Sequence, residues 1–144
     1  MKRKATNKIV LHCAATRPSQ NVGVADIRRW HKERGWSDIG YHFVIRRDGR
    51  VERGRAEDEV GAHVADHNMD SIGICMAGGL NERTWKPENN FTPAQWAALE
   101  KLVRLLTIRY PRAKVLGHRD FPGVQKACPC FNARAWAKKL KFPV

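Results

Sequence analysis

The chain alternates between short apolar runs and longer stretches that carry apolar residues at helical spacing. Five runs have the length and composition of β-strands: residues 9–11, 41–47, 50–53, 71–76 and 115–117. Asp48 and Gly49, between the second and third runs, are typical of a tight hairpin turn. Strands that alternate with helices in this way predict an α/β fold with a central mixed sheet flanked by helices.

Two helices are predicted from apolar residues on one face. The first is ended by Gly35, and its apolar face consists of Val24, Ile27 and Trp30. The other lies near the C-terminus, over about residues 132–140, and is expected to point three side chains toward the core: Ala135, Trp136 and Leu140.

A longer helix between them has a clear start and end. Thr92 and Gln95 have the spacing of a capping box, and Pro93 occupies the first helical position. Pro111 ends the helix. Its apolar stripe is expected to contain Trp96, Leu99, Val103, Leu106 and Tyr110.

Length and composition predict a single domain over residues 1–144. The chain is 42% hydrophobic, which suits one compact core. Residues 1–7 form a basic N-terminal extension, and residues 132–144 form a basic C-terminal helix and tail. Neither a signal peptide nor a membrane span is apparent, so the chain is expected to accumulate in the cytoplasm.

The chain is strongly basic. Its 27 lysines and arginines against 14 acidic residues give a net charge of +13, which favours polyanionic partners. The basic tail around Trp136 and Phe142 is suited to an anionic cell-envelope surface, and a solvated helix face explains the same pattern equally well. No helix-turn-helix, zinc-finger or aromatic stacking motif accompanies the charge, so no specific nucleic-acid partner is expected.

Four cysteines are expected to remain thiols, because a chain without a secretory signal is not exposed to an oxidising compartment. Cys75 lies within an apolar run and is predicted to be a small core residue. Cys13 is expected to face away from His12, since neighbouring residues of a strand point to opposite faces.

Two histidines and one cysteine carry the strongest chemical signal. His12 and His118 each end an apolar run, and Cys128 follows His118 by ten residues. Two imidazoles and one thiolate make a three-ligand set for a catalytic zinc ion, with a fourth position open for water. Their spacing is not diagnostic by itself, because six histidines allow many accidental triplets.

Several motifs together resemble one enzyme family. They lie at residues 9–12 (IVLH), 40–43 (GYHF), 61–63 (GAH), 68–74 (NMDSIGI), 117–120 (GHRD) and 126–129 (KACP). With these motifs the chain resembles the type 2 zinc-dependent N-acetylmuramoyl-L-alanine amidases, which include peptidoglycan-recognition proteins and small phage endolysins. The resemblance covers about residues 8–136. Residues 15–24 and 90–95 make the chain most similar to the lysozyme-type endolysins of short-tailed phages.

This resemblance implies an activity and a cofactor. The expected reaction is hydrolysis of the amide bond between N-acetylmuramic acid and L-alanine in bacterial peptidoglycan. One zinc ion would be held by His12, His118 and Cys128. As a phage or prophage endolysin, the protein would lyse its host by reaching the cell wall from the host cytoplasm after holin-type release.

The resemblance also implies roles for individual residues. Lys126 would stabilise the oxyanion that develops in the reaction. Tyr41 would either orient or deprotonate the attacking water, and a phenol with a pKa of about 10 is a poor base. His63 and Asn68 are expected to line the muropeptide groove. In the family that the chain resembles, the metal ligand directly precedes a proline. The resemblance therefore assigns this role to Cys128 and leaves Cys130 as a bystander or as an alternative ligand.

Other functions remain compatible with the sequence. The chain could be a non-catalytic peptidoglycan-binding module, although the full ligand set with Tyr41 and Lys126 argues against that. Some phage amidases of this type also bind and inhibit their phage's RNA polymerase, and the resemblance permits such a partner. A monomer is expected, and His31, His42 and His67 are assigned no functional role.

Overall fold

The computed structural model describes residues 1–144 and contains one five-stranded β-sheet. Its strands are β1 (Lys8–Cys13), β2 (Phe43–Ile45), β3 (Val51–Arg53), β4 (Ser71–Met76) and β5 (Lys114–Gly117), in the order β3-β2-β4-β1-β5. β3 pairs antiparallel with β2, whereas β2, β4, β1 and β5 are parallel. The predicted α/β class with a mixed sheet is confirmed.

Three helices cover this sheet: α1 (Val24–Glu33), α2 (Pro93–Arg109) and α3 (Ala133–Lys139). A single 3-10 turn, His118–Asp120, directly follows β5. None of the helices combines the length and the apolar composition that crossing a membrane requires.

The two faces of the sheet bury different sets of residues. In β1, Leu11 and Cys13 belong to the large core cluster that also contains the buried residues of α2 and α3. His12 points to the opposite face, on which Ile27 of α1 packs with Cys75. Cys13 therefore faces away from His12, as predicted. Cys75 is fully buried, and all four cysteines are free thiols.

Helix α2 begins as its sequence predicts. The Thr92 hydroxyl accepts a hydrogen bond from the Gln95 amide at 3.1 Å, and the Gln95 side-chain oxygen accepts one from the Thr92 amide at 3.0 Å. The side-chain nitrogen of Gln95 also donates to the carbonyl oxygens of Ile45 and Ala77. Gln95 thus joins the start of α2 to Ile45 at the end of β2 and to Ala77, the residue after β4.

Some predicted boundaries and burials are wrong. The hairpin strands are shorter than predicted, because Tyr41 and His42 precede β2 and residues 46–50 form the turn. Ala135 is exposed rather than buried, since Ala133 and Ala137 occupy the face of α3 that meets the core. The predicted apolar stripe of α2 is confirmed: Leu99, Val103 and Leu106 are buried in the core, and Trp96 and Tyr110 are partly buried against it.

Both basic ends of the chain pack against the domain. The Arg3 guanidinium donates to the carbonyl oxygens of Glu57 and Glu59 at 2.5 and 2.9 Å. At the other end, Phe142 is buried, and the carbonyl of Pro143 accepts a hydrogen bond from the Val115 amide at 2.8 Å. The tail therefore covers the edge of β5.

Candidate active site

The three predicted metal ligands meet at one edge of the sheet. His12 is near the end of β1, His118 directly follows β5, and Cys128 belongs to the loop after the 3-10 turn. The carboxyl ends of neighbouring parallel strands lie at the same edge, so β1 and β5 bring the two histidines together. The Sγ atom of Cys128 lies 3.8 Å from Nδ1 of His12, and all three ligand atoms lie within 4.8 Å of one another.

This donor set fits a zinc ion. Tetrahedral zinc with nitrogen ligands at about 2.0 Å and a sulfur ligand at about 2.3 Å places its ligand atoms about 3.5 Å apart. Burial, followed by the nearby imidazoles of His63 and His118, lowers the pKa of His12 well below 6.5. Burial and the Lys126 ammonium lower the pKa of His118 as well. Both imidazoles are therefore neutral at pH 7, which is the form that binds a metal.

Cys130 lies outside the ligand group. Its Sγ atom is 3.7 Å from Sγ of Cys13, and its thiol donates to the carbonyl oxygen of Gly79 at 3.4 Å. Cys128, in contrast, accepts a hydrogen bond at its sulfur from the Cys13 amide at 3.3 Å. Of the two roles that the sequence left open for Cys130, the geometry favours the bystander.

Tyr41 lies beside the ligand group, just ahead of β2. Its ring centroid is 5.0 Å from that of His12. Burial raises the pKa of the Tyr41 phenol well above 10, and the nearby thiol of Cys75 adds to this effect. The phenol is therefore neutral at pH 7 and can donate a hydrogen bond.

His63 lies behind His12 and is only 8% exposed. Its Nδ1 atom is 2.9 Å from Nε2 of His12, and its Nε2 atom is 3.2 Å from the Ser71 hydroxyl. Burial lowers the pKa of His63 to about 3. The ring borders the cavity described below, but both of its nitrogens are engaged inside the protein.

Asn68 holds the loop that carries His63. Its side-chain oxygen accepts hydrogen bonds from the backbone amides of His63 and Val64, at 2.8 and 2.9 Å. Asn68 also lines the cavity, and its side-chain nitrogen is the group left to face a ligand.

A cavity of about 380 Å³ opens beside the ligand group. Its lining contains four of the predicted site residues (Tyr41, His63, Asn68 and Lys126) together with the ligand His118. The other lining residues were not predicted from the sequence to belong to the site: His31, Arg34, Trp36, Ala62, Val64 and Ala65. None of the lining residues is acidic, in agreement with the absence of a glutamate from the motifs.

Arg34 and Trp36 form the far wall of this cavity, on either side of Gly35. Gly35 has φ of +92° and turns the chain at the end of α1. Trp36 packs on His31 with ring centroids 4.4 Å apart, and the Arg34 guanidinium lies 6.0 Å from the centroid of the Trp36 ring. The signal for this wall that was available in the sequence is an aromatic residue, Trp36, directly after the helix-ending Gly35.

Comparisons with known proteins identify the family of this chain. The N-acetylmuramoyl-L-alanine amidase family model matches residues 2–131. The endolysin of Klebsiella phage KP32 is 49% identical over 138 residues, which cover 96% of this chain and 89% of the relative. The endolysin of Escherichia phage T7 is 48% identical over 137 residues, covering 95% and 89%.

A solved structure shows the same architecture. The N-acetylmuramoyl-L-alanine amidase LysC from Clostridium intestinale URNW superposes with a TM-score of 0.77 at 35% identity, over 95% of this chain and 86% of that one. The family match covers most of the chain, and the phage relatives are similar over nearly its full length. The chain therefore belongs to the N-acetylmuramoyl-L-alanine amidase family, as a peptidoglycan-degrading enzyme of the endolysin type.

Proposed function

We propose that the protein is a zinc-dependent endolysin that cleaves the amide bond between the lactyl group of N-acetylmuramic acid and L-alanine. The observation that carries this proposal is the meeting of His12, His118 and Cys128 beside a cavity that Tyr41 and Lys126 also line. His12 lies more than a hundred residues away from both His118 and Cys128 in the sequence. The pairing of β1 with β5 brings it beside His118.

Amide hydrolysis requires a nucleophile, stabilisation of an oxyanion and protonation of the leaving amine. A bound zinc ion supplies Lewis acidity, which polarises the carbonyl and lowers the pKa of water to about 7. His12 and His118 would hold the ion through neutral nitrogens, and Cys128 would bind it as a thiolate that cancels one of its two positive charges. The remaining positive charge favours an anionic transition state.

Lys126 and Tyr41 line the cavity beside His118, which supports a role for each in the reaction. Lys126 is exposed at the cavity and lowers the pKa of His118 through its charge, which supports a position from which its ammonium reaches the developing oxyanion. Tyr41 is neutral, which supports a role as a hydrogen-bond donor that orients the attacking water or the carbonyl.

The muropeptide would occupy the cavity of about 380 Å³. Asn68 would donate from its side-chain nitrogen to a carbonyl of the peptide stem, since its oxygen is bonded to the backbone. Trp36, 38% exposed, offers an apolar wall for the sugar or the stem. His63 would border the groove with the edge of its ring.

Acting on peptidoglycan, the protein would work as a monomer after holin-type release from the host cytoplasm. Its net charge of +13 supports attraction to the anionic cell envelope. Four exposed basic residues of the C-terminal helix and tail add to that attraction: Arg134, Lys138, Lys139 and Lys141.

Mass spectrometry of the products tests the proposed reaction. Purified peptidoglycan treated with the zinc-loaded protein should yield peptides with free L-alanine amino termini and intact glycan strands, and the matched Cys128→Ser protein should yield neither above background. Peptidoglycan that is bound by the wild-type protein but not cleaved would indicate a recognition module and contradict the proposal.

A further inference from the structure

A continuous chain of hydrogen bonds runs from His12 into the protein. Nε2 of His12 contacts Nδ1 of His63 at 2.9 Å, and Nε2 of His63 contacts the Ser71 hydroxyl at 3.2 Å. That hydroxyl donates to the carbonyl oxygen of His67 at 2.7 Å. His12, His63 and Ser71 are all buried, so water does not compete for these contacts.

The end of this chain fixes the position of each hydrogen atom. Ser71 has one hydrogen to donate, and the His67 carbonyl takes it. Toward His63 the Ser71 oxygen can then only accept, so Nε2 of His63 carries a hydrogen. A neutral imidazole has one N–H group, which leaves Nδ1 of His63 as an acceptor. His12 must therefore donate from Nε2, and its Nδ1 atom keeps a free lone pair.

His63 remains neutral in this arrangement. Its ring is 8% exposed, and the partners of its nitrogens are an imidazole and a hydroxyl rather than a carboxylate. A buried imidazolium without an ionic partner would be unfavourable.

We propose that His63 and Ser71 are positioning residues that hold His12 in the Nε2–H tautomer, so that its Nδ1 lone pair is presented to the metal. This inference rests on the zinc site proposed above. In metal sites generally, such partners fix the tautomer and the ring orientation of the ligand. The free Nδ1 atom of His12 is the one that lies 3.8 Å from Sγ of Cys128.

Three residues of the motif at residues 68–74 contact or accommodate His63. Asn68 accepts from the His63 backbone amide, and Ser71 accepts from its ring. Gly73 leaves room for the ring, because a Cβ atom at this position would lie 2.6 Å from Cγ of His63. Three residues of the motif thus hold the backbone, the ring nitrogen and the ring plane of His63.

Two substitutions at position 63 separate hydrogen bonding from packing. His63→Phe keeps a planar ring but removes the acceptor, and we expect zinc affinity to fall about 10- to 100-fold. His63→Asn places an amide oxygen near the position of Nδ1, so it should recover part of that loss. His67→Phe is the matched control: it removes an imidazole that packs on Phe121, and zinc affinity should stay within about twofold of wild type.

Affinity is measured by competition with a chelator, and circular dichroism checks the fold. Long-range ¹H–¹⁵N spectra of the zinc-loaded protein give a second readout, because they identify which nitrogen of His12 carries the hydrogen. The wild-type protein should show an Nε2–H group on His12 that exchanges slowly with solvent. Ser71→Ala should speed that exchange and lower zinc affinity several-fold, and it carries the test if His63→Phe does not fold.

The inference is overturned if His12 carries its hydrogen on Nδ1, or if a folded His63→Phe protein binds zinc as tightly as His67→Phe. A Ser71→Ala protein with wild-type affinity and unchanged exchange also overturns it. A wild-type protein that binds no zinc would instead contradict the proposed function. The two failures are therefore distinguishable.

Discussion

Cys128 and Cys130 lie on either side of one proline, and both sulfurs contact Cys13, but they do not share a role. Cys128 joins the ligand group, whereas Cys130, with φ of +73°, turns its sulfur toward Cys13. The KACP motif predicted from the sequence that Cys128, and not Cys130, is the metal ligand. The orientation of Cys130 depends on contacts with Cys13 and Gly79, which lie far away along the chain, so no local pattern could predict it.

The two cysteines form a matched pair of variants. Cys128→Ser should lose most of the zinc affinity and reduce amidase activity at least 100-fold, because a hydroxyl is a far weaker zinc ligand than a thiolate, while the melting temperature of the metal-free protein changes little. Cys130→Ser should retain one zinc per chain and activity within about twofold of wild type. Zinc content by elemental analysis decides between them, and equal losses in the two variants would make Cys130 a ligand.

Lys126 is predicted to act on the transition state. Lys126→Ala should lower kcat about 100-fold, the typical effect of removing one oxyanion-stabilising group, while zinc remains bound. Lys138→Ala, which removes an exposed charge from α3, should leave kcat unchanged. A Lys126→Ala protein with wild-type kcat would show that Lys126 is a surface charge only.

Features formed by residues close together in the sequence were predicted correctly, whereas contacts between distant residues were not predicted. The start of α2 was predictable because its capping box is formed by Thr92 and Gln95, three residues apart. The prediction that Ala135 lies on the buried face of α3 was wrong. A seven-residue helix contains too few apolar positions to define its buried face from the sequence alone. The contact between His12 and His63 spans 51 residues, so sequence periodicity gave no sign of it.

Glu57 connects the segment after β3 to the end of α2. Its carboxylate accepts hydrogen bonds from Arg109 and, at 2.7 Å, from the Tyr110 hydroxyl. Burial alone would raise the pKa of Glu57, but the hydrogen bonds from Arg109 and Tyr110 outweigh it and hold the pKa below 4.5. A carboxyl group whose pKa is lower in the folded state than in the unfolded state stabilises the fold at pH values above its unfolded-state pKa. This stabilisation is lost as the pH falls through the folded-state pKa.

Glu57→Gln should therefore reduce the free energy of unfolding by about 1 kcal/mol at pH 7, the scale expected for a partly exposed charged hydrogen bond. The difference from wild type should shrink as the pH falls below 4.5. Urea unfolding at pH 7 and pH 3 measures both values. An equal difference at the two pH values would contradict the assigned role of the carboxylate.

The aromatic residues of the basic tail pack against the domain and leave the tail without a free apolar face. Trp136 packs against Trp96 and Phe142, with ring centroids 6.3 and 5.8 Å apart, and Phe142 is buried. The sequence showed aromatic and basic residues together but could not show that the core of this domain takes up the aromatic ones. The exposed charges are what remains available to an anionic surface.

Binding to an anionic membrane should therefore be purely electrostatic. The protein should bind phosphatidylglycerol vesicles at 50 mM salt and dissociate by 0.5 M, because the screening length falls below about 5 Å over this range. Tryptophan emission should not shift on binding. Binding that persists at high salt with a blue shift would show that the tail inserts its aromatic residues.

We propose that one zinc ion at His12, His118 and Cys128 makes this chain an amidase. Zinc is titrated into the metal-free protein while the release of L-alanine amino termini from peptidoglycan is measured. Activity should rise linearly and stop rising at one zinc per chain. Full activity in protein shown by elemental analysis to contain no metal would contradict the claim.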